Sequence, residues 1–313
     1  MGKARFQGAD IALVAAGEAH SVAVSASGDV WTWGKGRSGQ LGLLDLQDRL
    51  APSQVDLAHA AASPCVLVAA GGHHTVAVTA DGSLLAWGCG SHGQLGLGGD
   101  VACCLRPARV CTGGLGSSRV VIAACGSAHT LAATENGTLW AWGSGGNGRL
   151  GHGDATSASS PAQVSTEHFV GRRVVAVGAG DAHSAALTED GALFTWGCGK
   201  DQISPEPSGL GHGDLRDRHV PTCILRECLR GARVGRCRRH RLACDAALAF
   251  AMCTHPRLGQ QCRHLSQMLP ELVQHIVAAC ELWSWPEGGA GKLEGLVRLL
   301  GGGPALLGEP FES

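Results

Sequence analysis

Three stretches carry the glycine spacing of a phosphate-binding loop. Gly34 to Gly39, Gly88 to Gly93 and Gly143 to Gly148 each read G-x-G-x-x-G. In a dinucleotide site such a loop opens a helix, whose N-terminal amides receive the pyrophosphate. Here QLGL or RLGHGD follows, glycine returns at once, and no helix begins. One enzyme also has no use for three copies. The spacing therefore predicts a recurring turn, and no cofactor is assigned to it.

Four histidines, His20, His74, His129 and His183, raise the question of a general base. Each is followed by Ser or Thr and preceded three positions earlier by Gly17, Gly71, Gly126 or Gly180. A catalytic histidine is usually singular, whereas these fill one slot in each of several equivalent units. They are expected as buried imidazoles, hydrogen-bonded to backbone between strands. A third candidate is the group Cys237, His240, Cys244, Cys253, His255, Cys262 and His264. Its C-x-x-H-x-x-x-C start offers zinc ligands, but the remainder fits no standard spacing. Free thiols in an irregular segment are expected there, with no metal.

The elements that hold these residues follow from their period. The histidines step by 54, 55 and 54 residues, and Trp33, Trp87, Trp142 and Trp196 keep the same steps. Two independent markers on one period near 50 indicate tandem units of a repeat array or propeller. Each unit reads strand, tight turn, strand, as in HSVAVSASGDVWTWG from His20. The turns are Ser27-Gly28, Asp81-Gly82, Asn136-Gly137 and Asp190-Gly191. Asn-Gly and Asp-Gly accept positive φ at both central positions, which predicts type I′ hairpins. A VAAG-type strand precedes each hairpin. A fourth strand follows at Pro52, Pro107, Pro161 and Pro221, with Val55, Val110, Val164 and Ile224 three residues on. Four short antiparallel strands per unit make a propeller blade. The tryptophans, with Gly34, Gly88, Gly143 and Gly197 beside them, are expected to anchor these blades.

Composition agrees with this reading. Glycine fills 48 of 313 positions without a three-residue period, which calls for many turns, and 44% apolar residues argue against disorder. The formal net charge of −1 gives no global attraction to nucleic acid or an anionic membrane. Fourteen cysteines would suit a secreted scaffold. However, the apolar IALVAAG at Ile11 recurs as VLVAAGG, VVIAACG and VVAVGAG, so it is a repeat strand and not a signal core. No apolar run approaches the ~20 residues of a membrane helix. A cytoplasmic or nuclear protein is expected, with no membrane partner.

These units resemble the repeats of the regulator of chromosome condensation family, through their G-x-x-H-[ST], W-G-x-G and G-[QR]-L-G signatures. Four full repeats are expected over 1–230, at about 11–62, 63–117, 118–171 and 172–230. The resemblance implies an all-β fold of propeller-type blades taken from a seven-bladed array. A fifth unit starts at RGARVGRCRRHRLACDAALAFAM and degenerates, so an open arc or a truncated chain is expected in preference to a closed four-blade ring. An open blade edge invites self-association or pairing with another chain. Residues 231–313 are expected to hold this degenerate repeat and a short α-helical tail. Leu272, Val273, Ile276, Val277 and Cys280 share one helical face there, and Leu293, Leu296, Val297 and Leu300 another.

No nucleophile–base pair and no isolated carboxylate dyad stands out in the sequence. The expected function is a non-enzymatic interaction module or scaffold with protein partners. The resemblance implies an alternative: guanine-nucleotide exchange on a Ran-type small GTPase, with chromatin association. Exchange needs a protruding wedge, and the insertion at Ile203, Pro205 and Glu206 in the fourth unit is the candidate. The basic 226–241 segment, with Arg236, Arg238 and Arg239, is the candidate for nucleic acid or an acidic partner.

Overall fold

The computed structural model describes residues 6, 8–111, 118–200 and 210–224. The chain divides into two compact units, Met1–Glu227 and Cys228–Ser313, and all described residues lie in the first. The expected helices, the Cys/His group and the 226–241 basic segment fall outside the described residues, as does the insertion at Ile203, Pro205 and Glu206.

Among the described residues, sixteen strands form four antiparallel sheets of four. The first blade is β1 (Ile11–Ala16), β2 (His20–Ser25), β3 (Val30–Gly34) and β4 (Arg49–Val55). The second is β5 (Cys65–Ala70), β6 (His74–Thr79), β7 (Leu84–Cys89) and β8 (Cys103–Arg109). The third is β9 (Val120–Cys125), β10 (His129–Thr134), β11 (Leu139–Gly143) and β12 (Ala158–Gln163). The fourth is β13 (Val174–Ala179), β14 (His183–Thr188), β15 (Leu193–Gly197) and β16 (Arg218–Cys223). Within each sheet the strands lie in sequence order, so every blade is a meander. Pro52, Pro107, Pro161 and Pro221 all sit on the last strand, an edge, where a missing amide costs least.

The hairpin turns differ from the type I′ expectation. In the second blade Gly82 N donates to Thr79 O at 2.8 Å and Thr79 N to Ser83 O at 3.0 Å. Only the glycine has positive φ, +81° at Gly82, and Asp81 does not. This is a type I turn closed by a left-handed glycine, a three-residue loop with a G1 bulge. The Asp81 carboxylate sets it by accepting from Thr79 Oγ1 and from Ser83 N at 3.1 Å. A side-chain acceptor two residues past the strand end stabilises this geometry over the primed turn. The turn glycine then serves the next blade: Gly28 O, Gly82 O and Gly137 O accept from Cys65 N, Val120 N and Val174 N.

The core lies between blades. Val22, Val24, Val30 and Val55 of the first blade pack with Cys65, Val68, Ala77, Leu85 and Trp87 of the second. The later seams repeat this arrangement, with Trp142 and Trp196 in the positions of Trp87. All three indoles are fully buried. At ~25 cal/mol per Å² over ~150–250 Å², each contributes roughly 4–6 kcal/mol as an upper bound. Trp33 of the first blade is half-buried and meets Phe6 edge-on at 6.0 Å.

Candidate interaction surface

Three of the histidines, His20, His74 and His129, and three of the tryptophans, Trp87, Trp142 and Trp196, belong to one device, built three times across the seams. His20 Nε2 lies 2.9 Å from Thr75 Oγ1 of the next blade, His74 Nε2 3.0 Å from Thr130 Oγ1, and His129 Nε2 2.9 Å from Ser184 Oγ. Each hydroxyl donates its one proton to a carbonyl of the preceding blade: Gln40 O at 2.9 Å, Gln94 O at 2.8 Å and Arg149 O at 2.8 Å. The same carbonyls accept the indole N–H of Trp87, Trp142 and Trp196 at 2.9 to 3.0 Å. With the hydroxyl proton committed, the imidazole must donate from Nε2. Its Nδ1 is then an unprotonated acceptor, and the buried Nδ1 atoms of His20, His74 and His129 have no partner.

The expected backbone partner of the imidazole is therefore a side-chain hydroxyl, with the backbone carbonyl one step further on. The glycine three residues before each histidine also has a cause. A Cβ added at Gly126 would overlap His129 Cε1, and Gly17, Gly71 and Gly180 meet their own histidines in the same way. Gly34, Gly88, Gly143 and Gly197 lie at or next to the ends of the third strands with φ of +104° to +108° and press against the histidine backbone.

Burial makes these imidazoles poor bases. It lowers His20 to about 4, with His73 adding to the effect, and His74 and His129 to about 3. All three stay neutral donors at physiological pH. His183 of the fourth blade is half-buried, and burial shifts it in the same direction. Among the described residues no following blade supplies it a hydroxyl. Ala185, Leu187 and Leu193 around it are half-buried, whereas Val22, Val24 and Val30 at the equivalent places in the first blade are buried.

The G-x-G-x-x-G stretches are consecutive turns. Gly39 N donates to Gly36 O at 2.8 Å and Gly42 N to Gly39 O at 2.9 Å, with the pattern repeated in the later blades. Only a three-residue 3-10 turn, Gly146–Gly148, forms in the third copy. Their function is to carry Gln40, Gln94 and Arg149 to the next seam. These three positions are the variable letter of the G-[QR]-L-G signature, and the sequence pattern assigned them no role, because they act through their backbone carbonyls.

What differs between blades lies in the loops from the third strand to the fourth. The first loop exposes Arg37, Leu44 and Leu46. The third and fourth bound an open depression of about 810 Å³, lined by Asn147, Cys198, Lys200, Asp214, Leu215, Arg216 and Asp217. Asn147 Nδ2 donates to Asp217 Oδ2 at 2.9 Å across the seam, and Arg218 pairs with Asp214 at 2.9 Å. Lys200 and Leu210 flank the insertion that contains Ile203, Pro205 and Glu206. Among the described residues no cluster of His, Cys, Asp and Glu is arranged for a metal, and no helix is long and apolar enough to cross a membrane.

Comparison with known proteins agrees with this geometry. The family model described as "RCC1-like domain" matches residues 3–253. The chain is 35% identical over 249 residues to the human E3 ubiquitin-protein ligase HERC2, covering 80% of this chain and 5% of that protein. It is 38% identical over 195 residues to the ultraviolet-B receptor UVR8 of Arabidopsis thaliana, covering 62% of this chain and 43% of the receptor. The crystal structure of Prp20p from Saccharomyces cerevisiae superposes with a TM-score of 0.57 at 26% identity, over 69% of this chain and 50% of that one. The chain thus spans half or less of each of these proteins. Four meander blades joined by a recurring His–hydroxyl–carbonyl–Trp seam, with the family match over most of the sequence, make this chain a member of the RCC1-like β-propeller family.

Proposed function

We propose that this chain is a non-enzymatic protein-interaction module, which binds partners through the loops between the third and fourth strands of its blades. The carrying observation is a division of labour. Residues that repeat are committed to the seams, and residues that differ between blades are presented outward. Lys200, Asp214 and Arg216 are exposed around the depression between the third and fourth blades, offering both signs of charge at a polar protein surface. Such charges steer association and set specificity more than they add raw affinity.

The test is quantitative co-purification with the full chain as bait, comparing the parent with a K200E/R216E variant. Both side chains are exposed, so thermal melts of the two should coincide. Loss of partners from the variant supports this surface. An unchanged set of partners at unchanged abundance would place binding elsewhere.

A second reading is guanine-nucleotide exchange on a Ran-type small GTPase with chromatin association. It is supported by family membership and by the similarity to Prp20p, whose structure is described together with its binding to Gsp1p and histones. On that reading the insertion beside Lys200, with Ile203, Pro205 and Glu206, is the wedge.

A further inference from the structure

One cross-strand position changes chemistry in the second blade. One step beyond the pairs Gly34–Arg49, Gly143–Ala158 and Gly197–Arg218, the fourth-strand side of the turn carries Asp48, Ser157 and Asp217. Each gives a side-chain oxygen to a glycine amide. Gly36 N reaches Asp48 Oδ1 at 3.0 Å, Gly145 N reaches Ser157 Oγ at 3.1 Å, and Gly199 N reaches Asp217 Oδ1 at 2.9 Å. In the second blade the position is Cys103, directly opposite Cys89. The Gly90 amide donates instead to Ala102 O at 2.9 Å, leaving the Cys103 side chain free of that duty.

This same bond fixes the geometry of the pair. The single bond from Gly90 N to Ala102 O, one step past the facing residues Cys89 and Cys103, puts those two at a non-hydrogen-bonded position, with side chains on one face and Cα atoms ~4.5 Å apart. That separation lies within the ~4.4–6.8 Å of disulfides. Cys103 is exposed and Cys89 half-exposed. Cys104, the next residue, points to the opposite face and donates its thiol to Arg106 O at 3.1 Å.

We propose that Cys89 and Cys103 form a redox-active dithiol that closes into a cross-strand disulfide with glutathione disulfide as the oxidant. The Cys89 thiolate attacks one glutathione sulfur, the glutathione S–S bond breaks, and one glutathione thiolate leaves. Cys103 then attacks the Cys89 sulfur of the mixed disulfide and expels the second glutathione. Two electrons pass to the oxidant, and the two thiol protons end on the two glutathione thiols. Burial, and then the neighbouring Cys89 and Cys104, hold the Cys103 thiol above its ordinary value. It therefore suits the second, intramolecular step, where proximity compensates for a smaller thiolate fraction. Closure also removes the Cys103 Sγ donation to Ser38 O at 3.2 Å. Ser38 lies in the loop whose Gln40 carbonyl holds the first seam, so the redox state is read at the blade interface.

The test equilibrates the full folded chain in glutathione buffers of rising oxidised fraction, quenches with acid, alkylates and maps peptides by mass. The expected product is a linked peptide pair joining Cys89 to Cys103, two hydrogens lighter than the separate thiols. C104S should leave that link intact. C103S places at this position the hydroxyl that the third blade already has in Ser157, so the fold is kept. It should lose the link and leave Cys89 carrying glutathione. Cys89 and Cys103 carrying separate glutathiones in the folded parent would overturn the proposal, as would equal linkage of Cys89 to Cys104.

Discussion

Lowering the pH from 7 to 5 should destabilise this protein strongly, and the seam histidines set the size of the effect. Their pKa values in the folded chain are about 4, 3 and 3 for His20, His74 and His129, against an ordinary value of 6.5. Between those limits the unfolded chain binds more protons than the folded one, so stability rises with pH. The contribution is fully present above 6.5 and is lost as pH falls toward the folded values. At about 1.4 kcal/mol per pH unit, each histidine costs ~2 kcal/mol at pH 5, or ~6 kcal/mol for the three. That is comparable with the whole ~5–15 kcal/mol of a typical domain. Asp45 and Asp81 are held below 3.8, first by hydrogen bonds from Arg49 and Thr79 respectively, so their losses come at lower pH. The assay is urea unfolding followed by tryptophan fluorescence at both pH values. A triple H20Q/H74Q/H129Q variant supplies an amide donor that does not titrate, and its midpoint should be far less sensitive to pH. An unchanged midpoint in the parent, or an equal shift in the triple variant, would refute the assignment of neutral Nε2 donors.

Other substitutions probe the same seams singly. T75V strands His20 Nε2–H and one acceptance of Gln40 O, and should cost ~1–3 kcal/mol, with T75S restoring most of it; chemical denaturation reads both. Trp142→Ala removes a fully buried indole and its bond to Gln94 O. It should cost ~3–5 kcal/mol, and a cooperative melt unchanged within error would sink the anchor role. G126A pushes a methyl into the His129 ring, and should lower the melting temperature more than G191A, where an added Cβ meets no neighbouring atom and only the positive φ is strained.

How much of this was legible beforehand depends on the range of each interaction. The strands, their order and the edge position of the prolines follow from local pattern and a period of 54 to 55 residues. The slots of His74 and Trp87 were visible as constants, yet their partners were not. Thr130 lies 56 residues from His74, and Gln40 meets Trp87 through a backbone carbonyl that no side-chain type reveals. The turn type failed for a local reason. Asp-Gly tolerates positive φ at both positions, whereas here only Gly82 takes it and the Asp81 carboxylate caps the turn. Surface residues such as Lys200 and Arg216 have no period and were found only through the depression they line. The Cys89–Cys103 pairing needed the register of β7 and β8, which the sequence does not print.

The central claim, a binding module without exchange activity, is tested most directly by release of fluorescent GDP from a Ran-type GTPase. The measurement uses the full chain, after circular dichroism confirms folded β-rich protein. The account predicts a release rate equal to that of the GTPase alone at every concentration of this chain. Acceleration in proportion to that concentration would contradict it and establish an exchange factor.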